Sequence, residues 1–377
     1  MRLLEFQAKR LFAQVGIPVP RGELLTSPGA LVSIRYPAVL KAQVLAGGRG
    51  KAGGVAIART LSEGLEAGRH LFADKISGMP VRALLCEEFV AAISERYISL
   101  VIDRTECEVV FIASARGGSD VEELSRKGSS LLVRKRIDLC GEAPSYVVRA
   151  IARTMGLADP GDARVIVQGM LALLQAYDAT LVEINPLACT AGSPVALDAK
   201  MVLDSKARFR HASLFEELLS EQRRIIGNPE SASEHLAAQK ELLYVPLEGS
   251  IGVISDGAGT GMLMLDMIGD AGGRPECFCE MGGHSDAKTM RDAMEVVLAN
   301  ARVRVLLVGL IGGLTRMDEM ARGIVDFLGG SPCPTPIVVR MCGTKEEQGR
   351  ATLLEAGIDA SDDLHAAVRQ AVRVATD

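Results

Sequence analysis

Four apolar runs in the last third of the chain restrict its fold more than any other feature. They read SIGVIS (250–255), ECFCEM (276–281), VRVLLVGLIG (303–312) and TPIVVRM (335–341). Between them lie stretches of helical periodicity such as DAKTMRDAMEVVLANA (286–301) and RMDEMARGIVDFL (316–328). Continuous apolar strands alternating with helices imply a parallel sheet covered on both faces, with ligands at the carboxyl ends of its strands. The earlier part reads differently, as α+β. A helix is expected over 4–14, strands near 38–43 and 83–88, and a hairpin from YISLVIDR and CEVVFIASA with Thr105 and Glu106 at its turn. At 377 residues the chain exceeds one ordinary domain. The expected division is 1–225 for the first domain, a polar and partly helical linker over 226–245, and 246–377 for the second.

Composition removes several function classes. Aromatic residues are 4% with no Trp, which argues against stacking platforms for single-stranded nucleic acid. The net charge of −5 offers no field for DNA. The opening MRLLEFQAKRLF carries charges at every turn and reads as neither signal peptide nor membrane span. Eight cysteines form no CxxC, and none has a histidine at metal-ligand spacing. They read as reduced thiols of a cytoplasmic protein.

The stretch VLKAQVLAGGRGKAGGVAI (39–57) carries five glycines and three basic residues behind an expected strand. It is not a Walker A loop, because Leu45 and Ala52 stand where that pattern needs glycine and a hydroxyl residue. Gly48, Gly50 and Gly53 match GxGxxG, but no helix opens there and no acidic partner follows at the dinucleotide-binding spacing. What remains is a strand ending in Lys41 and a glycine flap carrying Arg49 and Lys51. Such a flap lets backbone N–H groups close on phosphates while the cations supply charge. A solvated turn is the plainer alternative.

A second constellation is DATLVEINPLACTAGSPVALDAKMVL (178–203). Counting outward from a turn centred between Ala191 and Gly192 puts Asn185 opposite Asp198, with Glu183 on the same face. Oxygen ligands of this kind suit Mg²⁺, which takes one or two carboxylates and completes its shell with water and phosphates. A polar solvent-facing strand pair is the alternative.

These segments, with LLEFQAKRLFAQVGIPVP, FRH and GTKEEQG in the same order, resemble the β subunits of succinate–CoA ligase over nearly the whole chain. The resemblance implies an N-terminal ATP-grasp domain followed by a flavodoxin-like, Rossmann-like ligase domain. It implies that Lys41, Gly48, Arg49 and Gly50 bind ATP phosphates and that Glu87, Val90 and Glu95 line the adenosine pocket. Asn185 and Asp198 would carry Mg²⁺, and Pro20 matches the ATP-using members. Asp256, Gly313, Leu314 and Thr315 would meet the acid substrate. The implied reaction joins a dicarboxylate, succinate by default, to CoA at the expense of ATP. The phosphoryl passes through a histidine on a separate α subunit, which also binds most of the CoA, in an αβ or α2β2 assembly. No catalytic acceptor is expected on this chain.

The stretch VISDGAGTGMLMLDMIG (253–269) reads as strand, glycine turn and helix, whose first N–H groups attract an anion. Three departures from the family stand out. Asp256 replaces an asparagine at the head of this helix. A carboxylate 4 Å from a phosphate costs on the order of 4 kcal/mol at an effective dielectric near 20. The choices are that it points away, holds a proton, or meets a different ligand. A run of three glycines reads Gly282, Gly283, His284, making His284 a rival phosphate acceptor or substrate contact. Arg116, ahead of a Gly-Gly pair, resembles malate–CoA ligase β subunits. Malate or another hydroxy-dicarboxylate is therefore the second acid. The remaining alternatives are a nucleotide-binding paralogue without catalysis and a stand-alone ATP-grasp carboxylate–amine ligase.

Overall fold

The computed structural model describes residues 1–118, 132–139, 141–157, 159–227, 231–330 and 333–376. The chain divides into two compact units, Met1–Pro229 and Glu230–Asp377.

The first unit opens with helix α1 (Glu5–Gln14), whose Leu4 N–H is taken by the Gln7 side chain. An antiparallel four-stranded sheet follows in the order β1 (Gly22–Leu25), β6 (Leu84–Glu88), β2 (Ala38–Ala42) and β3 (Val55–Ala58). Helix α2 (Leu61–Ala73), capped by the Thr60 side chain, packs on it, and β4 (Lys75–Ile76) and β5 (Met79–Pro80) form a small ribbon. A second antiparallel sheet holds β7 (Ser94–Asp103), β8 (Glu108–Ser114), β9 (Leu132–Ile137), β10 (Ala179–Cys189), β11 (Val195–Ala196) and β12 (Lys200–Leu203). The expected hairpin is β7–β8, with Asp103 opposite Glu108. Helices α3 (Ser145–Met155) and α4 (Pro160–Tyr177) cover this sheet, and Leu11, Phe12, Leu100, Phe111, Ile151 and Met170 fill the core between. Helix α5 (Ala212–Ile226) ends the unit.

Within the segment expected as a partly helical linker, 226–245, the described residues from 231 on hold a helix and a strand. Helix α6 (Ala232–Gln239) carries a Ser231–Glu234 capping box, and β13 (Leu243–Pro246) pairs antiparallel with β15 (Pro275–Glu280). Both belong to the second unit, because α6 has an apolar face at Leu236 and Ala237 that packs into its core.

The second unit has the strand order β13, β15, β14 (Ile251–Ser255), β16 (Val305–Gly312), β17 (Ile337–Gly343), parallel apart from β13. Taken without β13, the order 2-1-3-4 is that of a flavodoxin-like sheet. Helices α7 (Ala258–Asp270) and α11 (Leu364–Thr376) pack with β14 and β16, as do Met264, Ile268 and Val368 with Val253 and Leu307. Helix α8 (Ala287–Leu298) and α9 (Met317–Gly330) contribute Met290, Met294, Met320 and Ile324 to the other core. Helix α10 (Glu346–Glu355) lies against α9 and β17. Cys277 and Cys279 share one face of β15 and Phe278 takes the other, as strand alternation requires. Among the described residues the cysteines form no disulfide, and no helix is long and apolar enough to cross a membrane.

Candidate functional site

In the first unit, Lys41 lies one residue before the end of β2 with its side chain buried, and the glycine stretch connects β2 to β3. The flap folds back on itself: Ala52 N–H donates to Gly48 O at 3.1 Å and Gly54 N–H to Arg49 O at 2.8 Å. Gly48 and Gly53 have φ of 69° and 79°, a region that favours glycine. This geometry turns Arg49 inward. Its guanidinium reaches Asp198 Oδ1 and Glu5 Oε2, both at 2.8 Å. Lys41 Nζ lies 3.1 Å from Glu5 Oε1 and 2.6 Å from Glu87 Oε2, and donates to Leu197 O. Lys9 Nζ completes the group, 2.9 Å from Glu5, 2.5 Å from Glu87 Oε1 and 2.6 Å from Leu197 O. Three cations and three carboxylates thus form one network, most of it buried.

The charges shift one another. Burial alone would raise the pKa of Glu5, but Lys9, Arg49 and Lys41 outweigh it and hold this carboxyl well below its usual range. Burial would lower Lys41 and Arg49, yet Glu5 acts on both, with Glu87 on Lys41 and Asp198 on Arg49, and both rise. Lys9 falls, because its burial is the largest influence. Asp198 is pushed up to about 6 by burial and by the Glu5 charge, against the pull of Arg49, Lys41 and Lys9. Even so, 40% of the Asp198 side chain meets solvent.

From Leu181 to Ala188 the acidic hairpin keeps one register, which shifts only near Ala179. Leu187 faces Ala196, Leu197 N–H donates to Pro186 O at 3.0 Å, and Glu183 faces Lys200. Asn185 therefore stands opposite Asp198. Glu183 is engaged by Lys200 at 3.3 Å. Asn185 is gripped from both sides by Gly118, whose N–H donates to its Oδ1 at 2.6 Å and whose carbonyl accepts from its amide at 3.2 Å. Gly117 N–H donates to Glu95 O at 3.1 Å, and a Cβ on Gly117 would lie 2.4 Å from Arg96 O, so glycine is required for this approach. Arg116 is exposed beside this glycine pair, within the first unit.

Of the residues expected at the nucleotide, Lys41, Arg49, Glu87 and Asp198 come together in one network. Glu87 faces Lys9 and Lys41 rather than an open pocket. Gly48 and Gly50 are exposed on the flap, Val90 is half-buried beyond β6, and Glu95 is exposed on β7. The sequence reading passed over Glu5 and Lys9, an i, i+4 charged pair on a helix face shared with Ala8 and Phe12 that local pattern does not tell from a solvated pair.

In the second unit, the residues expected at the acid meet at the carboxyl ends of the parallel strands. Asp256 follows β14 and leads into α7, whose N-cap Gly257 supplies no side-chain cap. Its Oδ2 accepts the Ile311 N–H at 2.9 Å, bridging the ends of β14 and β16 where the strand order reverses. The side chain is 6% exposed. Burial raises its pKa, while N–H donors and the charge of Arg340 act the other way. Thr315 is buried with its hydroxyl on Gly283 O at 3.0 Å, and Thr344 Oγ1 donates to Gly313 O at 2.9 Å. Leu314 is 73% exposed, and His284 is exposed in the loop after β15. This rim is held mainly by hydrogen bonds to backbone groups.

An ATP-grasp domain family matches residues 2–189 and a CoA-ligase family residues 254–374. The succinate–CoA ligase [ADP-forming] subunit beta of Ignicoccus hospitalis is 39% identical over 100% of this chain and 99% of its own length. That of Pyrobaculum calidifontis is 38% identical over the full length of both, and that of Chloroflexus aurantiacus 36% over 100% and 99%. In fold, the chain is similar to ATP citrate lyase from Methanothrix soehngenii, solved in complex with citrate and coenzyme A, with a TM-score of 0.69, 19% identity and 99% of each chain covered. With both domains in order and full-length likeness to these relatives, the chain belongs to the succinate–CoA ligase (ADP-forming) β-subunit family, ligases that form a carbon–sulfur bond.

Proposed function

We propose that this chain is the nucleotide- and acid-binding subunit of an ATP-dependent dicarboxylate–CoA ligase, with succinate as the acid. In this reading a partner α subunit supplies the phosphoryl-accepting histidine and most of the CoA site. The observation that carries it is the convergence of Lys41, Arg49 and Asp198, from a strand, a glycine flap and a hairpin, on one network. Lys41 and Arg49 serve as phosphate ligands, and the exposed N–H groups of the flap add neutral donors.

The donor set fits Mg²⁺. Asp198 and Asn185 present hard oxygens from facing positions of one hairpin, and Asp198 is open to solvent. The Asn185 amide oxygen, already held by Gly118, keeps a second lone pair. Asp198 and Asn185 would hold the Mg²⁺, which would supply positive charge against the phosphates. Arg49, held by Glu5 as well as by Asp198, would then serve the phosphates without losing its counter-ion. In the second unit the uncapped first turn of α7 offers N–H groups to an anion, and Gly313 to Thr315 border the place of the acid.

The test is to titrate the full-length chain with ATP, with and without Mg²⁺, beside an Asn185→Ala, Asp198→Ala double variant. Mg²⁺-dependent binding that the double variant loses supports the reading; binding that the variant leaves unchanged removes it. Incubation with γ-labelled ATP adds a second test. No acid-labile label is expected on this chain alone, and label that vanishes in His284→Ala would make His284 the acceptor.

The hydroxy-dicarboxylate reading has one observation in its favour. Asp256 presents an acceptor, where an asparagine would donate a hydrogen bond to a carboxylate. Its Oδ2 is turned to Ile311, so the charge is partly answered inside the protein. An acid with a hydroxyl group suits this position better than plain succinate. Assay of the assembled enzyme with succinate and malate, wild type against Asp256→Asn, decides between them: the variant gains on succinate relative to malate if Asp256 selects.

A further inference from the structure

We propose that Glu5 and Lys9 of the first helix form a positioning pair for nucleotide binding, a role that rests on the reading of Lys41 and Arg49 as phosphate ligands. Glu5 is 3% exposed and is the one carboxylate in contact with all three cations of the network. Its Oε1 holds Lys9 and Lys41, and its Oε2 faces Arg49. That second oxygen is buried without a well-directed hydrogen bond from any described group, so its contact with Arg49 is chiefly one of charge. A guanidinium held this way can pivot without losing its counter-ion. Glu5 therefore keeps Arg49 at the site when Asp198 is taken up by a divalent cation.

Lys9 has two effects. It lies between Glu5 and Glu87 and on the Leu197 carbonyl, the residue before Asp198, so α1 is tied to the first sheet and to the hairpin at once. It also sets the charge. With Asp198 neutralised by a metal, Lys9, Lys41 and Arg49 face Glu5 and Glu87, which leaves one net positive charge for the phosphates. Without Lys9 that surplus is zero, and the two phosphate ligands are fully answered by buried carboxylates. A cation removed from a buried network also leaves its carboxylates unpaired, so the pair is coupled in stability as well.

Three variants of the full-length chain test this: Lys9→Met, the double Glu5→Gln, Lys9→Met, and Lys41→Met as a control on the site itself. The double removes one charge of each sign, so the network stays balanced and the fold is not burdened by an unpaired group. It also restores the net positive charge that Lys9→Met loses. In the assembled enzyme, Lys9→Met and the double are both expected to raise the KM for ATP at least tenfold. The KM for the acid and kcat should stay within about twofold. Affinity restored to wild type in the double would mean that charge alone matters, and would overturn positioning. An equal fall in all parameters in step with lost thermal stability would show a merely structural role, and overturn it too. Lys41→Met separates the two readings. If it abolishes ATP binding while the double binds normally, the positioning proposal alone fails; if Lys41→Met binds ATP as wild type does, the nucleotide-site reading fails and takes this one with it.

Discussion

The two units build their sites from different materials. The first gathers charged side chains from α1, β2, β6, the flap and the hairpin, and buries them against one another. The second arranges loop backbone at the ends of parallel strands and fastens it with hydroxyl and carboxylate groups such as Thr315, Thr344 and Asp256. The difference predicts how each fails. A buried ionic network is unforgiving of single deletions, because the partner left behind keeps its desolvation cost. A backbone rim tolerates loss of a side chain but not added bulk, because its dimensions are those of the main chain.

The largest expected effect is Lys41→Met, which exposes the contrast directly. Glu5 and Glu87 each lose a cation, at a cost of about 3–5 kcal/mol in stability, and ATP affinity should fall more than a hundredfold. Chemical denaturation and calorimetry measure both, and a loss under about 1 kcal/mol would mean that the network is weakly coupled. Next is Gly343→Ala. Gly343 has φ of 108° and an added Cβ would lie 2.1 Å from Gly312 O, a backbone atom that cannot swing away. About 3 kcal/mol of destabilisation is expected, read from the shift in the denaturation midpoint. Thr315→Val, which removes the hydroxyl bond to Gly283 O but keeps the shape, should cost about 1 kcal/mol. Parity of this variant with Lys41→Met would erase the distinction between the two sites.

The smallest effect should be Asp256→Asn, and its sign depends on pH. The folded pKa of Asp256 is raised, mainly by burial, so the folded state binds more proton than the unfolded state as pH climbs past the ordinary aspartate value. Its contribution to stability therefore declines as pH rises through that interval and stays low at neutral pH. Replacing it by Asn should flatten this slope without loss of stability at pH 7. Thermal melts of both proteins from pH 4 to 7 check it, and a steeper slope in the variant would show that Asp256 is stabilised as an anion.

Local pattern alone determined a good deal of this protein. The apolar runs produced the parallel sheet, since strands covered on both faces must be apolar throughout. The register that sets Asn185 against Asp198 followed from the turn at residues 190–193, because a period of two admits no partial slip. The motifs carried the family. What tertiary structure decided was the company those residues keep. Glu5 and Lys41 are 36 positions apart, Lys9 and Glu87 78, and Lys9 and Leu197 188. No periodicity reaches that far, and a charged pair on a first helix looks like an ordinary solvated face until the sheet and hairpin close over it. Likewise, the Gly-Gly pair after Arg116 carried no sign in the sequence that Gly118 would grip Asn185, a contact made across the β-sheet. Burial is a property of the packed whole: it turned Lys9 and Glu5 from surface charges into a fixed counter-ion pair, and it raised the pKa of Asp256 above that of an ordinary aspartate.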